Sequence, residues 1–344
     1  MGRRRRRLLG LIVLLLAVTA GVAAADFFRF LHSPMRPGSV ERMTYTIEPG
    51  TSVSTVARDL GESGVLDRPL YFRLVARVTG ASRHIQAGEY VFSTDMTPYR
   101  LLQKFVAGDV KTYDLTVIEG WTFAEMMAAI RKHEAIRHTL GGLDAAAIMK
   151  RLGHSGEHAE GRFFPDTYHF PRGTRDVELL QRSYERMKTV LADEWGEREE
   201  GLPLDSAYDA LILASIVERE TGVPEERPRI AGVFVERLEQ GMRLQTDPTV
   251  IYGLGEEFDG DLRFRDLRKD TPYNTYTRAG LPPTPIALPS RAAIHAAVHP
   301  DRRGELYFVS TGNGRHVFSR TLEEHNKAVV KYQLNGDSSR LRNR

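Results

Sequence analysis

The chain has 344 residues, a length typical of two folded units, and its content of 41% hydrophobic and 27% charged residues excludes a largely disordered protein. The absence of cysteine excludes disulfides, cysteine-based zinc sites and thiol nucleophiles. The net charge is +3, but the arginines at positions 3–7 contribute +5, so the remainder carries −2. A nearly neutral body disfavours nucleic-acid binding, which needs a basic patch in the folded part.

The first predicted element is a membrane-spanning helix over residues 8–28. Residues 8–25 contain neither charge nor proline, and these 18 residues are just long enough to cross the hydrocarbon core of a bilayer. Because arginines precede this run, the positive-inside rule keeps residues 1–7 in the cytoplasm as a short tail and exports the body. A cleaved signal peptide is the alternative, since the alanines at positions 23–25 resemble a cleavage site.

A small module is predicted after a linker at residues 29–44, which is rich in proline, glycine and serine. A strand begins at Tyr45, two helices with apolar positions three and four residues apart follow, and a second strand returns at residues 88–92. A further helix ends at Gly108. We expect this βααβ module to occupy residues 45–110 and to contain no catalytic group.

Residues 111–334 predict a larger mixed domain. A long amphipathic helix covers residues 176–195, and five prolines exclude regular structure from residues 271–290. A hairpin around the Thr-Gly-Asn-Gly turn at residues 311–314 precedes a last helix. The polar residues 335–344 predict a flexible tail. The predicted class is therefore α+β, with an N-terminal transmembrane helix, a small module and a larger domain.

One helix, at residues 209–220, contains a candidate catalytic group. Seven of its nine residues before Glu218 are apolar and lie on every side, which is typical of a helix inside the protein. Helical geometry places Glu218 over Leu211, Ala214 and Ser215, and the two small side chains leave space for a ligand. Apolar surroundings disfavour the charged form of a carboxyl group, which suits a proton donor.

The same pattern also fits a purely structural glutamate. In that alternative, an arginine neutralises the Glu218 carboxylate, and the arginines at positions 219, 229 and 237 are the candidates. Structural ion pairs occur on such helices as well as catalytic acids. The residue pattern alone therefore does not decide between the two interpretations.

Two further clusters carry hydrogen-bonding groups of the kind that sugar recognition needs. The first contributes Gln245, Thr246, Asp247 and Tyr252. The second lies in the proline-rich segment and contributes Tyr273, Asn274 and Tyr276. A proline-stiffened loop can hold such groups at fixed positions along a cleft. A structural turn explains each cluster equally well, so both interpretations stay open.

Metal and nucleotide chemistry have little support. Two histidine pairs have the i, i+4 spacing of some zinc ligands, His154 with His158 and His295 with His299, but neither contains the glutamate of an H-E-x-x-H motif. The chain has no P-loop, no G-x-S-x-G and no G-x-G-x-x-G sequence. We expect neither a metal nor a cofactor.

Several segments resemble the YceG-like family of endolytic murein transglycosylases. They are Ala214-Ser-Ile-Val-Glu-Arg-Glu220, Leu244-Gln-Thr-Asp-Pro-Thr-Val-Ile-Tyr-Gly253, Tyr273-Asn-Thr-Tyr276 with Gly280-Leu-Pro-Pro-Thr-Pro285, and Glu160-Gly-Arg-Phe-Phe-Pro-Asp-Thr-Tyr168. The resemblance extends in order over nearly the whole chain. It implies a LysM-like subdomain at residues 45–110, a catalytic domain at residues 111–334, and Glu218 as the catalytic glutamate.

The resemblance implies lytic cleavage of the bond between N-acetylmuramic acid and N-acetylglucosamine in nascent peptidoglycan strands, which terminates their elongation. One carboxyl group suffices, because it protonates the leaving oxygen and then takes the proton of the muramic acid's own 6-hydroxyl, closing a 1,6-anhydro ring. This nucleophile is intramolecular, so no second carboxylate has to activate water. Also implied are an anchor in the bacterial inner membrane, a periplasmic body and coupling to peptidoglycan synthases.

Two other functions remain possible on the sequence. A hydrolytic muramidase would use Asp247 as a second carboxylate. A non-enzymatic scaffold would bind the cell wall through the LysM-like module, and an inaccessible Glu218 paired with an arginine would favour it.

Overall fold

The computed structural model describes residues 2–36 and 42–338, and the chain divides into two compact units. The smaller unit comprises Met1–Tyr113 with His169–Gly173, and the larger comprises Asp114–Tyr168 with Thr174–Arg344. Parts of the predicted linker and C-terminal tail, residues 37–41 and 339–344, lie outside the described residues. The mixture of helices with short antiparallel strands confirms the predicted α+β class.

The smaller unit has the predicted order of strand, helix, helix and strand after a long N-terminal helix. Its elements are α1 (Gly2–His32), β1 (Arg42–Ile47), α2 (Val53–Glu62), α3 (Pro69–Val78), β2 (Gly88–Ser93) and α4 (Pro98–Ala107). Strands β1 and β2 are antiparallel, in a register that runs from Arg42 opposite Ser93 to Ile47 opposite Gly88. Ser52 and Thr97 cap α2 and α4 with their side chains, as polar N-cap residues do.

The last turns of α1 belong to the core of the smaller unit. Leu31 and Met35 are buried there with Phe72, Tyr90 and Phe105. The predicted linker therefore begins inside a helix, because burial of these apolar side chains extends α1 past residue 28 to His32.

The rest of α1 has no protein surface around it. Residues 5–32 form the one helix, among the described residues, that is long and apolar enough to cross a membrane, and none of its most apolar window is buried. A signal sequence near the N-terminus passes the same test, so the membrane span stays a prediction.

Two further strands, β3 (Thr112–Thr116) and β4 (Thr167–Pro171), pair with each other. The larger unit is mainly helical. Its helices are α5 (Phe123–Lys132), α6 (Ala145–Arg151), α7 (Asp176–Gly196), α8 (Ala207–Glu220), α9 (Arg227–Glu239), α10 (Asp247–Leu254), α11 (Phe264–Arg268), α12 (Arg291–Val298) and α13 (Leu322–Tyr332). The predicted hairpin is confirmed as β5 (Tyr307–Ser310) and β6 (His316–Ser319).

Helix α8 lies at the centre of the larger unit. Its residues 210–217 are between 0% and 4% exposed, and α7, α9, α10 and α12 pack around it. Ser215, the polar residue within this run, donates its hydroxyl to the Ile212 carbonyl and accepts the Ile286 amide. The apolar face predicted for α7 is buried against the same core, and the proline-rich residues 271–290 form neither helix nor strand.

A buried ion-pair cluster stabilises the smaller unit. The Glu89 carboxylate accepts hydrogen bonds from Arg172 Nε at 2.6 Å, Lys111 Nζ at 3.0 Å and the Tyr113 hydroxyl at 2.8 Å. Burial alone opposes ionisation of Glu89, but these three donors outweigh it and lower its pKa to about 2.

We predict that the smaller unit loses stability as pH falls from about 4.5, the ordinary pKa of Glu89, towards its folded pKa of about 2. Glu89→Gln should lower stability at neutral pH and flatten this acid dependence. Hydrogen-exchange protection of the β1 and β2 amides, corrected for intrinsic pH effects, measures it. Glu62→Gln, at an exposed position on α2, is the control. An unchanged acid dependence in Glu89→Gln would contradict the role of this cluster.

Candidate active site

Glu218 lies in the last turn of α8, with its side chain only 5% exposed. Its Oε1 accepts a hydrogen bond from Arg227 Nη2 at 3.1 Å. Its Oε2 accepts the Ser290 amide at 2.9 Å and also the Ser290 hydroxyl. These three donors hold the carboxyl group in one orientation.

The donors come from the first turns of two helices. Arg227 is the first residue of α9, and Ser290 is the N-cap of α12, whose hydroxyl oxygen also accepts the Ala293 amide. The amino ends of helices carry partial positive charge. The Glu218 carboxylate therefore binds the N-cap residue of one helix and the guanidinium of the first residue of another.

A second carboxyl group lies at the exposed side of this site. Glu119 Oε2 is 3.9 Å from Arg227 Nη2, and the Glu119 side chain is 55% exposed. Partial burial and, second, the charge of Glu218 raise the pKa of Glu119, while Arg227 opposes this shift. The sequence pattern predicts none of Glu119, Arg227 and Ser290 as partners of this site, because these residues meet Glu218 only through the tertiary fold.

The turn that carries Glu119 is fixed beside α8. Gly120 has φ +79°, and a Cβ atom there would lie 3.9 Å from Cγ of Glu218. The Gly120 amide donates to the Leu288 carbonyl at 2.9 Å, and its carbonyl accepts Arg219 Nη1 at 3.1 Å. A glycine fits this left-handed conformation close to Glu218 without strain.

The three arginines considered as partners of Glu218 have other roles. Arg219 binds the Gly120 carbonyl, Arg229 pairs with Glu305, and Arg237 donates to carbonyls that include Leu244. The arginine that pairs with Glu218 is instead Arg227. The prediction that Arg219, Arg229 or Arg237 neutralises Glu218 was therefore wrong.

Two members of the first predicted sugar-binding cluster, Thr246 and Asp247, lie beside Glu220. Thr246 is buried, and its hydroxyl donates to Glu220 Oε2 at 2.7 Å. Asp247 Oδ1 accepts the Tyr276 hydroxyl at 2.5 Å. Side chains two residues apart on a helix point about 200° apart, so Glu218 and Glu220 leave α8 on opposite sides.

Glu220 is a second perturbed acid. Burial and, second, the charge of Asp247 raise its pKa to about 6, against the opposing effects of the Thr246 hydrogen bond and His316. Burial and the Asp247 carboxylate also raise the pKa of the Tyr276 hydroxyl, so it stays a donor.

Gln245 is exposed and has a strained backbone, with φ +53°. Its side-chain oxygen accepts a hydrogen bond from Arg237 Nη1 at 3.3 Å, and its amide donates to the Thr275 carbonyl at 3.2 Å. This conformation turns the chain into α10 and leaves the Gln245 side chain at the surface.

Asn274 has no surface with which to contact a ligand, since it is 0% exposed. Its Nδ2 donates to the carbonyls of Leu267 at 3.0 Å and Lys269 at 2.8 Å, and its Oδ1 accepts the Tyr276 amide at 2.8 Å. The side chain orders the proline-rich loop, and we correct the prediction that it binds sugar directly.

Tyr252 binds a third acidic residue, Glu160, and Tyr273 packs against Tyr252. Their rings are 4.8 Å apart at 66°, and the Tyr273 hydroxyl bonds to Thr284. The Tyr252 hydroxyl donates to Glu160 Oε2 at 3.1 Å, and the Phe123 amide donates to Oε1 at 2.9 Å. Burial raises the pKa of Glu160 to about 7 despite these hydrogen bonds.

One group within the described part of the chain has the composition of a metal site, namely Glu194, His295 and His299. The Glu194 carboxylate is already occupied, since Oε1 accepts Arg291 Nε at 2.6 Å and Oε2 contacts His295 Nδ1 at 2.8 Å. An arginine at this distance disfavours a dication, and we assign no metal here.

Comparisons with known proteins agree with one another. A family model described as the YceG-like family matches residues 45–331. An endolytic murein transglycosylase of Bacillus subtilis is 32% identical, with 88% of each chain covered. One of Streptococcus pneumoniae is 24% identical over 93% of this chain, which spans 65% of that protein's length. A crystal structure of a yceG-like protein from Listeria monocytogenes matches with a TM-score of 0.52 at 30% identity, covering 84% of this chain and all of that one.

The chain therefore belongs to the YceG-like family. The matched residues include Glu119, Glu160, Glu218 and Glu220, so all four acids lie inside the family region.

We predict that Glu160 makes the larger unit less stable as pH rises. Its folded pKa of about 7 exceeds the ordinary 4.5, so the unfolded chain ionises first and stability declines between these two pH values. The decline is on the order of 3 kcal/mol at most. Glu160→Gln should remove it, because the amide keeps an acceptor for the Phe123 amide.

Denaturant unfolding followed by tryptophan fluorescence measures this effect, since both tryptophans, Trp121 and Trp195, lie in the larger unit. Glu200→Gln, at an exposed position, is the matched control. If Glu160→Gln and the control show the same pH dependence, Glu160 is ionised throughout and the assignment fails.

Proposed function

We propose that this protein is a membrane-anchored endolytic murein transglycosylase that cleaves peptidoglycan strands and leaves 1,6-anhydro-N-acetylmuramic acid ends. The observation that carries the proposal is the carboxyl group of Glu218, held by Arg227 and Ser290 at the end of a helix whose middle is buried. Membership of the YceG-like family and the names of the Bacillus and Streptococcus relatives support the reaction class.

In the proposed reaction, Glu218 acts first as an acid and then as a base. A carboxylate has about four acceptor positions, and the three donors leave one of them free, on Oε1. We assign the transferred proton to this atom. When the proton leaves, Arg227 and the amino end of α12 stabilise the carboxylate that remains. The same atom then accepts the proton of the muramic acid 6-hydroxyl as the anhydro ring closes.

Arg227 is the observation that favours the scaffold alternative. Its pairing with Glu218, and the 5% exposure of that side chain, are what an inert structural ion pair would have. Arg227 also lies near Glu119, however, and can keep a carboxylate partner while Glu218 is protonated. Because Arg227 lies between two carboxyl groups, and because the relatives are named as transglycosylases, we prefer the enzymatic function to the scaffold.

The contacts of Asp247 disfavour a hydrolytic muramidase that uses it as a second carboxylate. Asp247 is bound by Tyr276 and lies with Glu220, on the side of α8 opposite to Glu218. The carboxyl group that shares an arginine with Glu218 is Glu119. A hydrolytic mechanism would therefore have to use Glu119, which makes Glu119→Gln an informative control.

The remaining parts of the proposal rest on α1 and on the family resemblance. The apolar α1 anchors the protein in the bacterial inner membrane, with the residues that follow it on the periplasmic side. The βααβ module acts as a LysM-like glycan-binding unit. Cleavage of nascent strands ends their elongation, and the partners are peptidoglycan synthases.

We predict that Glu218→Gln lowers turnover by about 10² or more, because the amide cannot deliver a proton. Asp247→Asn and Glu119→Gln should have smaller effects, since no second carboxylate activates water. The measurement is mass analysis of the anhydro fragments that purified sacculi release, with tryptophan fluorescence as the check on folding. Full activity of a folded Glu218→Gln variant would exclude the proposed mechanism. A wild-type protein that binds sacculi and releases no fragment would establish the scaffold.

A further inference from the structure

Helix α3 of the smaller unit has apolar residues on two opposite faces. Phe72, Val75 and Ala76 are buried in the core of the unit. The other face presents three large aliphatic side chains to solvent, and their exposed fractions are 70% for Leu70, 50% for Leu74 and 78% for Val78. These three residues have i, i+4, i+8 spacing and form one stripe along the helix. This stripe is not part of the core of the smaller unit. An exposed apolar patch of this kind indicates a surface that contacts a partner.

The same face is basic. Arg73 and Arg77 alternate with the stripe and are exposed, and neither has an ion-pair partner within residues 2–36 and 42–338. Residues 69–88 contain three arginines and no aspartate or glutamate, in a chain that carries −2 outside its first seven residues. An exposed helix face that combines aliphatic and arginine side chains is typical of helices that bind at the surface of anionic membranes.

The contacts of α3 place its first turn beside α1. Asp26 accepts a hydrogen bond from the Tyr71 hydroxyl at 3.1 Å and pairs with Arg68. The Tyr71 ring packs edge-on against Phe27 and Phe30, at 5.3 and 5.6 Å. Asp26 directly follows the 18 uncharged residues of α1. Those residues span about 27 Å, close to the thickness of a bilayer core, so Asp26 falls at the membrane–water interface.

We propose that the exposed face of α3 docks on the headgroup region of the anionic bilayer that α1 crosses. Leu70, Leu74 and Val78 insert between the headgroups, and Arg73 and Arg77 bind lipid phosphates. The inference rests on the proposed membrane span of α1. Its consequence is that the smaller unit is held at the membrane surface by a second contact besides the anchor.

The absence of cysteine makes the test direct, because one introduced cysteine can be labelled alone. The full chain is reconstituted in nanodiscs that contain phosphatidylglycerol and nitroxide-bearing lipids, with an NBD label at Leu74→Cys or Val78→Cys. We expect a blue-shifted emission that shallow nitroxides quench. Thr46→Cys, at an exposed position on β1, should show neither effect, and Leu15→Cys within α1 should be quenched by deep nitroxides.

Variants separate the contributions of charge and apolar contact. With the label at Leu70→Cys, Arg73→Gln with Arg77→Gln should reduce quenching, and replacing phosphatidylglycerol by phosphatidylcholine should do the same. If the Val78 label is quenched no more than the Thr46 label while Leu15 is quenched, α1 spans the membrane and the docking proposal is wrong. If Leu15 is not quenched either, the span fails and the docking proposal fails with it. A blue shift that nitroxide lipids do not quench would assign the stripe to a protein partner and refute the lipid assignment.

Discussion

The constraint on which the larger unit depends is the complete burial of the middle of α8. Its residues 210–217 have no face in solvent, so the helix cannot shift without opening the core around it. The helices that cover α8 also supply the donors to its last turn, since α9 begins with Arg227 and Ser290 caps α12. The packing of the core therefore also positions the donors to Glu218. A shift of α9 or α12 would change both the core and the Glu218 site.

Burial has different consequences for the three glutamates near α8. Glu218 accepts hydrogen bonds from a guanidinium and from the N-cap residue of α12. Glu220 and Glu160 meet hydroxyl groups instead, and burial raises the pKa of Glu220 to about 6 and that of Glu160 to about 7. Glu218 shares Arg227 with a carboxyl group that is more than half exposed, that of Glu119. The contacts of the three acids thus differ, since Glu218 is bound by a guanidinium beside an exposed acid, and Glu160 and Glu220 accept hydrogen bonds from hydroxyl groups.

Local patterns in the sequence were sufficient to predict most elements. The apolar periodicity of α7, the turn between β5 and β6 and the apolar surround of α8 each depend on neighbouring residues, and the structure confirms them. The partners of Glu218 could not be predicted this way, because Ser290 is 72 residues away and meets it only through the packing of α12. The predicted role of Asn274 in sugar binding was wrong for a related reason. A side-chain amide in a proline-rich loop can bind either a ligand or the carbonyls of the loop itself, and Asn274 binds the carbonyls.

The central claim is that one carboxyl group performs both proton transfers and that the substrate supplies its own nucleophile. Cleavage of purified sacculi in ¹⁸O-labelled water tests it most directly, with mass analysis of the new muramic acid ends. The account predicts 1,6-anhydro ends without label, because ring closure uses the 6-hydroxyl oxygen of the sugar itself. Reducing ends that carry ¹⁸O would show that water is the nucleophile, and would contradict the account even if Glu218 proved essential.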